Sequence, residues 1–254
     1  MNILLSYARN PKGVAKGITK RFYNKIMKFK SKKIYEPSDI QEFNEIVEHS
    51  MNPNDISDHL ISLFTESLSI KPKLIVELGV RGGDSTFVLE RVAKPCKSKL
   101  ISVDIENCSK ISPWDQWIFV QKDDIEFAKE FVEWCKKRVI EPKIDILLID
   151  TSHIFEHTVD EIKYWFPFLS DRTKVFFHDT NLNKVYYRKD GAMDFGWDNN
   201  RGVIRALEKY FDKNFNEKRE FLSIRNGWLI KHYPFCNGFT IIEKLKLVNK
   251  NEKF

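Results

Sequence analysis

Short apolar runs alternate with helical patterns along most of the chain. The segments between the runs have the 3.6-residue periodicity of amphipathic helices, which predicts helices over about 85–92, 124–139 and 157–168. Continuous apolar strands separated by helices are typical of a parallel sheet covered on both faces. Five such strands are predicted: KLIVELG (73–79), KLISVDI (99–105), WIFVQ (117–121), IDILLID (144–150) and KVFFHD (174–179).

Further elements flank this alternating region. EPSDIQEFNEIVEHS and NDISDHLISLFTESLS have helical spacing, and Asn54 is a suitable N-cap for the second of these helices. After the fifth strand a long irregular stretch, 180–200, precedes a predicted helix at about 201–213. EFLSI and GFTIIEKL then predict two closing strands. The pattern therefore indicates one α/β domain over 36–254, preceded by an extension over 1–35.

The composition favours a packed domain without a membrane span. Apolar residues make up 42% of the chain and charged residues 31%. The apolar runs are far shorter than the roughly 20 residues that span a bilayer, and MNILLSYARNPK is too short in apolar residues for a secretory signal. Cys96, Cys108, Cys135 and Cys236 fall in no metal-ligand spacing. We expect unpaired thiols in a cytoplasmic protein, with one disulfide left open.

The positive charge of the chain is concentrated at its start. Residues 1–33 hold ten Lys/Arg and no Asp/Glu, so the remaining residues have 42 − 10 = 32 basic against 36 acidic groups, a net charge of −4. An acidic body argues against a nucleic-acid-binding face. Within the extension, Val14, Ile18, Phe22, Ile26 and Phe29 recur at helical spacing, with Lys16, Lys20, Arg21, Lys25 and Lys28 between them.

This basic amphipathic helix has two interpretations. Helices of this type lie on anionic membrane surfaces or dock to a partner, which would make the protein peripheral on the inner membrane surface. The alternative is a helix packed on its own domain with a solvated lysine face.

A glycine turn and a series of carboxylates follow the first three strands. VELGVRGGDST (76–86) is a strand, a glycine turn and a helix start, and it lacks the GxGxxG spacing of a dinucleotide fingerprint. Acidic residues at successive strand ends suit a nucleoside, because their carboxylates can accept hydrogen bonds from its ribose hydroxyls and its adenine amino group. Taken singly, each is as readily a helix cap. The candidate cofactor-binding residues are Glu77, Gly79, Gly82, Gly83, Ser85, Asp104, Asp123 and Asp124.

The next two strands also end in titratable residues. DTSHIFEH follows one strand with Asp150 and His153, and VFFHDT closes the other with His178 and Asp179. Neighbouring parallel strands lie roughly 4.8 Å apart, so two carboxylates there can share one hard cation such as Mg²⁺. We therefore expect Asp150, His178 and Asp179 as metal ligands, and His153 with Asp150 as catalytic residues. His157 is expected to face solvent, and a capping turn is the alternative for DTSH.

These motifs resemble the class I S-adenosylmethionine-dependent methyltransferases. The similarity lies in IVELGVRGGDST, VDIE, QKDD, IDTSH and FFHD, and covers about residues 55–245. Within the superfamily the chain is similar to a bacterial branch of macrolide-sugar and rhamnosyl O-methyltransferases and of proteins labelled cephalosporin hydroxylases. The resemblance implies a Rossmann-like, seven-stranded, mostly parallel sheet, S-adenosylmethionine across Glu77–Gly83, Asp104 and Asp123, and a divalent metal at the edge. The residue before the second aspartate is typically acidic in that branch, whereas here it is His178.

The expected activity is metal-assisted O-methylation of a sugar or sugar-bearing metabolite. His153 would act as the general base, and the partner would be a small-molecule or glycan acceptor. Aromatic residues of the irregular stretch would stack on the sugar and exclude water; the alternative is a surface flap packed on the helix at 201–213. The residues concerned are Tyr186, Tyr187, Arg188, Phe195 and Trp197.

Three other functions remain open at this point. An iron-dependent hydroxylase would use His153, His178 and Asp179 as a facial triad, but it leaves the nucleoside-like carboxylates unexplained. A non-catalytic module would act through the basic extension. An RNA methyltransferase is disfavoured by the acidic body. Association into a homo-oligomer is left open.

Overall fold

The computed structural model describes residues 11–27 and 35–245, without the side chains of residues 11, 12, 14 and 27. Phe29 and Lys28 of the predicted amphipathic helix, and the side chain of Val14, lie outside these residues. The α-helices are α1 (Pro11–Met27), α2 (Gln41–Ser50), α3 (Leu60–Ser69), α4 (Asp84–Cys96), α5 (Asp124–Lys137), α6 (Phe155–Trp165) and α7 (Gly202–Phe211). The strands are β1 (Leu74–Leu78), β2 (Lys99–Asp104), β3 (Trp117–Gln121), β4 (Ile144–Ile149), β5 (Leu169–His178), β6 (Tyr186–Tyr187), β7 (Met193–Asp194), β8 (Phe221–Arg225), β9 (Trp228–Tyr233) and β10 (Phe239–Lys244).

Eight of these strands form one sheet in the order β3-β2-β1-β4-β5-β10-β9-β8. Strands β3, β2, β1, β4 and β5 are parallel, and β10, β9 and β8 continue the sheet in antiparallel pairs. The chain order reverses between β1 and β4, which is where ligands bind in open sheets of this type. The Rossmann-like, mostly parallel sheet predicted from the sequence is confirmed.

The sheet has one strand more than the predicted seven. Strand β9, WLIKHY, was not predicted, because its buried and half-buried residues alternate instead of forming a continuous apolar run. Such alternation, with Lys231 and His232 among the strand residues, is typical of an antiparallel strand near the edge of a sheet.

Helices cover both faces of the sheet, as continuous burial of the central strands requires. On one face, Val76 of β1 belongs to a core cluster with Phe131 of α5 and Trp165 of α6. On the other face, Ile75 belongs to a cluster with Phe64 of α3. Alternate residues of β1 thus point into two separate cores, and all five are buried.

The prediction that Asn54 is the N-cap of α3 is wrong. Helix α3 begins at Leu60, because Asn54 makes a local turn in which its Oδ1 accepts a hydrogen bond from the amide of Ile56, 3.1 Å away. The four cysteines are free thiols. No helix among the described residues has both the length and the hydropathy to cross a bilayer.

The irregular stretch after β5 contains the short hairpin β6–β7, here called the flap hairpin (Tyr186–Asp194). The flap hairpin stands above the carboxyl edge of the sheet, and α1 lies against its second strand through Asn24, which exchanges two hydrogen bonds with the backbone of Met193. Tyr186 and Asp194 of the flap hairpin line the same cavity as His153 and Asp179.

Candidate active site

The glycine turn brings the ends of β1 and β4 into close contact. Gly79 has φ +87°, and a Cβ at this position would lie 2.0 Å from the carbonyl oxygen of Asp150. The amide of Asp150 in turn donates to the carbonyl of Leu78, 2.9 Å away. A glycine is therefore required at position 79 for Asp150 to stand where it does.

Glu77 supports this turn from below. The side chain is fully buried, and its carboxylate accepts hydrogen bonds from Ser85 (2.6 Å), Thr86 (2.9 Å) and Ser102. Burial raises the pKa of Glu77 to about 7, although the three hydroxyl groups lower it. Glu77 and Ser85 therefore hold β1, β2 and α4 together, and we do not assign either a direct contact with a ligand.

Asp104 binds the exposed side of the same turn. Its Oδ2 accepts hydrogen bonds from the amides of Val80 (2.8 Å) and Arg81 (3.1 Å). Its Oδ1 accepts from the amide of Glu106, 2.8 Å away. Asp104 thus shapes the turn and stays half-buried at the carboxyl end of β2.

The two aspartates after β3 have separate structural roles. Asp123 is the N-cap of α5 and accepts a hydrogen bond from the amide of Glu126, 3.0 Å away, so the capping interpretation holds for this residue. Asp124 is buried, and its Oδ1 lies 3.0 Å from Nε2 of His157. Asp124 therefore faces α6.

His157 differs from its expected position in solvent. Its Nε2 also lies 3.7 Å from Oε1 of the fully buried Glu161, which accepts a hydrogen bond from Thr151, 2.6 Å away. The hydrogen bond to Asp124 raises the pKa of His157 to about 9. Burial, together with Asp124, raises the pKa of Glu161 to about 8. This cluster ties the loop after β4 to α5.

Asp150, His153 and Asp179 converge at the ends of β4 and β5. One ligand atom from each lies within 4.8 Å of the others. Nε2 of His153 is 3.0 Å from Oδ2 of Asp179, whereas its Nδ1 is 3.9 Å from Oδ1 of Asp150. Both His153 (φ 58°) and Asp179 (φ 56°) have left-handed backbones, a strained conformation that clusters at functional sites.

His178 does not join this group as a metal ligand. Its Nδ1 lies 3.0 Å from Oδ1 of Asp150, and its Nε2 lies 3.1 Å from the carbonyl of Asp55. Burial would lower the pKa of His178, but the carboxylates of Asp179 and Asp150 outweigh it and raise the pKa to about 10. Both ring nitrogens of His178 thus have protein partners, and His153 is the histidine that converges with Asp150 and Asp179.

Asp179 and Asp150 differ in how far their carboxylate oxygens are hydrogen-bonded by the protein. Oδ1 of Asp179 has no hydrogen-bond partner among the described residues, although the side chain is only 7% exposed. Burial raises the pKa of Asp179. Burial also acts to raise the pKa of Asp150, but the neighbouring His178 outweighs this effect and lowers the pKa to about 2. A buried, unsatisfied carboxylate oxygen beside a second carboxylate is a donor set that fits a hard divalent cation.

A cavity of about 680 Å³ opens on this cluster. Its walls include Tyr186, Phe195 and Trp197 from the irregular stretch, and the Trp197 ring is centred 6.0 Å from that of His153. The other two predicted loop residues are absent from the walls: Tyr187 is turned outward, and Arg188 pairs with Asp190.

Three residues of the site escaped the sequence analysis. Asp55 and Arg81 both line the cavity and form an ion pair at 2.8 Å. Asn199 donates to the carbonyls of His153 (3.2 Å) and Asp179 (3.4 Å), and so ties the two left-handed residues together. Arg81 lies inside the glycine turn and could have been noticed there, whereas Asp55 and Asn199 follow no strand.

Residues 76–180 match the family model Methyltransf_24, described as a methyltransferase domain. The matched range begins in β1 and ends one residue after Asp179, so it contains the glycine turn and the converging carboxylates. Over this range the chain is similar to a methyltransferase domain, in agreement with the resemblance inferred from the sequence. No curated protein matches the chain in sequence.

Several solved methyltransferase structures are similar in fold. MycE from the mycinamycin biosynthetic pathway, in complex with Mg, SAH and mycinamycin VI, has 17% sequence identity and a TM-score of 0.50 over 84% of this chain and 56% of its own. SAH-bound PaMTH1 from Podospora anserina has 12% identity and a TM-score of 0.51, over 92% of this chain and 97% of its own. The chain thus spans little more than half the length of MycE. At these identities the likeness establishes the fold.

Replacing Gly79 should damage the site and the fold together. Gly79→Ala adds a Cβ that would lie 2.0 Å from the Asp150 carbonyl, at a φ of +87°. We expect the free energy of unfolding in urea to fall by about 2–4 kcal/mol. Gly227→Ala is the matched control, because its φ is +78° but nothing lies within 4 Å. Equal losses in the two variants would contradict the role of the close approach.

The pairing of His157 should make stability depend on pH. Its pKa is raised from 6.5 to about 9, so the folded chain binds this proton more tightly than the unfolded chain. The stabilisation is complete below pH 6.5 and is lost as the pH rises through about 9. We expect the melting temperature to fall over this range, and to fall less steeply in His157→Gln. Parallel pH profiles for the two proteins would contradict the pairing.

Proposed function

We propose that this protein is an S-adenosylmethionine-dependent O-methyltransferase, assisted by a divalent cation, that methylates a hydroxyl of a sugar or sugar-bearing metabolite. The observation that carries the proposal is the convergence of Asp150, His153 and Asp179, two of which (His153 and Asp179) line a cavity at the carboxyl edge of the sheet, inside the range that matches a methyltransferase domain. The fold similarity to MycE, a protein solved with Mg, SAH and mycinamycin VI, supports it.

S-adenosylmethionine would bind across the glycine turn. Gly82 suits a close approach, since a Cβ there would have its nearest neighbour 3.9 Å away and the backbone is therefore open. Asp104 stands beside the turn, and its Oδ1, which accepts from the amide of Glu106, keeps a second lone pair that suits a ribose hydroxyl. Asp123 would accept from the adenine amino group through the oxygen that does not cap α5. Glu77 and Ser85 would act indirectly by keeping the turn in shape.

Asp150 and Asp179 would hold the cation, most simply Mg²⁺. The unsatisfied Oδ1 of Asp179 and the low pKa of Asp150 provide two anionic oxygen donors on adjacent strands. When bound, the cation would hold the acceptor hydroxyls and lower the pKa of the one to be methylated.

His153 would take the proton of the acceptor hydroxyl. With Nε2–H donating to Oδ2 of Asp179 at 3.0 Å, the lone pair of Nδ1 is left to accept a proton. The hydroxyl oxygen then forms a bond to the methyl carbon as the carbon–sulfur bond breaks, and the electron pair leaves with the sulfur. Alignment of the oxygen with this bond accounts for much of the expected acceleration.

The cavity favours a sugar as the acceptor class. A volume of about 680 Å³ lies within the usual range for small-molecule sites. Its aromatic walls, Phe195 and Trp197, can stack on the apolar faces of a sugar ring, while Asp55, Asp194 and Asn237 supply polar groups for hydroxyls. The hydroxylase alternative is weaker, because both nitrogens of His178 are engaged and its facial triad loses one histidine.

Substitutions in the cluster should separate the two roles. Asp150→Asn and Asp179→Asn should leave activity low at any Mg²⁺ or Mn²⁺ concentration, because a donor oxygen has lost its charge. His153→Ala should retain metal binding but lose about 10²–10⁴-fold in kcat, and the loss should shrink as the pH rises. Methyl transfer to a panel of sugar-bearing acceptors, with metal binding followed by calorimetry, measures both effects.

Two results would count against this division of roles. Activity of the parent protein that survives EDTA would remove the metal. A His153→Ala variant with parental activity across neutral pH would leave His153 as a residue of a capping turn, whereas loss of its metal affinity would make it a ligand and not the base.

Cofactor binding has its own test in Asp104. Asp104→Ala should weaken the affinity for S-adenosylmethionine and S-adenosylhomocysteine by at least about tenfold, or about 1.4 kcal/mol, in calorimetry. Asp171→Ala, which removes a 98% exposed carboxylate at the opposite edge of the sheet, should have no effect. Asp104 also accepts hydrogen bonds from two backbone amides of the glycine turn, so its loss could loosen the turn. The thermal unfolding of the variant distinguishes this effect from the loss of a direct contact with the cofactor. Unchanged affinity in a folded Asp104→Ala variant would refute the pocket.

A further inference from the structure

Helix α1 is attached to the flap hairpin by its polar side. Lys20 forms an ion pair with Asp194, and Asn24 exchanges hydrogen bonds with the backbone of Met193 at 2.8 and 3.1 Å. Tyr23 meets Tyr187 edge to face, with ring centroids 6.2 Å apart. These contacts fix the direction in which the rest of the helix surface points.

The apolar side of α1 points away from the protein. Ile18, Phe22 and Ile26 follow one another at intervals of four residues and are 52%, 69% and 57% exposed. A helix on a globular protein normally turns such a stripe toward the core. Here the stripe is exposed instead, so the alternative of a helix that packs on its own domain through its apolar side is wrong, although Arg21 and Lys25 are solvated as that alternative expected.

Basic residues adjoin this apolar stripe (Ile18, Phe22 and Ile26). Arg21 and Lys25 lie within three or four positions of its members and are exposed. Residues 11–27 contain five Lys/Arg and no Asp/Glu, whereas residues 34–254 have a net charge of −4. Exposed apolar surface and concentrated positive charge therefore coincide on one side of the molecule.

We propose that the apolar stripe of α1 docks the protein onto an anionic lipid surface. An amphipathic helix with a large apolar residue and flanking Lys/Arg lies in the headgroup region of such membranes. A second copy of the chain is a poorer occupant, because a two-fold contact would place Arg21 and Lys25 of both copies against one another. The contacts of α1 with the flap hairpin bring the cavity wall at Asp194 close to the docked surface.

Co-sedimentation of the full chain with vesicles tests the docking. Vesicles of phosphatidylcholine containing phosphatidylglycerol should bind the protein, binding should weaken as salt is raised, and pure phosphatidylcholine should bind at least about tenfold less. Phe22→Glu should reduce binding to the anionic vesicles by about tenfold or more. Leu222→Glu is its matched control, since Leu222 is 70% exposed on β8, and should bind as the parent does.

Charge reversal gives a second and independent arm. The double variant Arg21→Glu/Lys25→Glu should lose binding by about tenfold or more, whereas Lys136→Glu/Lys137→Glu on α5 should not. Circular dichroism and thermal unfolding confirm that each variant is folded, which is expected because all substituted side chains are exposed.

Three outcomes would overturn the proposal. One is parental vesicle binding by folded Phe22→Glu, and another is equal binding to neutral and anionic vesicles. The third is a parent protein that does not bind vesicles but sediments as a dimer, which Phe22→Glu converts to a monomer; the stripe would then be an interface between two copies.

Discussion

The candidate active site depends on the contacts of the buried His178 ring with Asp150 and Asp179. Asp150 and Asp179 end adjacent strands, where two carboxylates at short range repel one another. The His178 ring lies between them, 3.0 Å from an oxygen of Asp150 and 3.4 Å from one of Asp179, and it is anchored by backbone carbonyls behind it. Burial would lower the pKa of His178, but the two carboxylates raise it, which favours a positive charge on the ring beside them. In the O-methyltransferases that the sequence resembles, an acidic residue typically stands at the position of His178, and their site would therefore be more negative.

The sequence predicted those features that follow from periodicity or from a strand's end. The parallel strands, the helices between them, and the presence of Asp150 and Asp179 at one edge all follow from continuous apolar runs that stop at a carboxylate. The roles of Glu77, Asp124 and His178 did not follow, because each is decided by a hydrogen-bond partner distant in the chain. Ser102, His157 and the carbonyl of Cys236 respectively make these contacts. Local patterns identify titratable residues, but they do not identify which of them are already paired.

Helix α1 shows the same limit in another form. Its amphipathic pattern predicted the helix but left its direction undetermined, because a basic face and an apolar face can each meet a protein surface. The flap hairpin decides between them through the Asp194 carboxylate and the backbone of Met193, which bind Lys20 and Asn24. The hairpin also carries Tyr186, a wall of the cavity, so the extension and the acceptor cavity are supported by the same short element.

The position of β10 has a consequence for the order in which the protein is made. This strand lies between β5 and β9, with Phe239 paired to His178, although it is the last strand of the sheet along the chain. The carbonyl of Cys236, just before β10, receives a hydrogen bond from the His178 ring. During synthesis on the ribosome, the edge of β5 and the far side of His178 stay uncovered until this final strand has emerged. Asp150, His153 and Asp179 are therefore synthesised before the strand that completes the surroundings of His178.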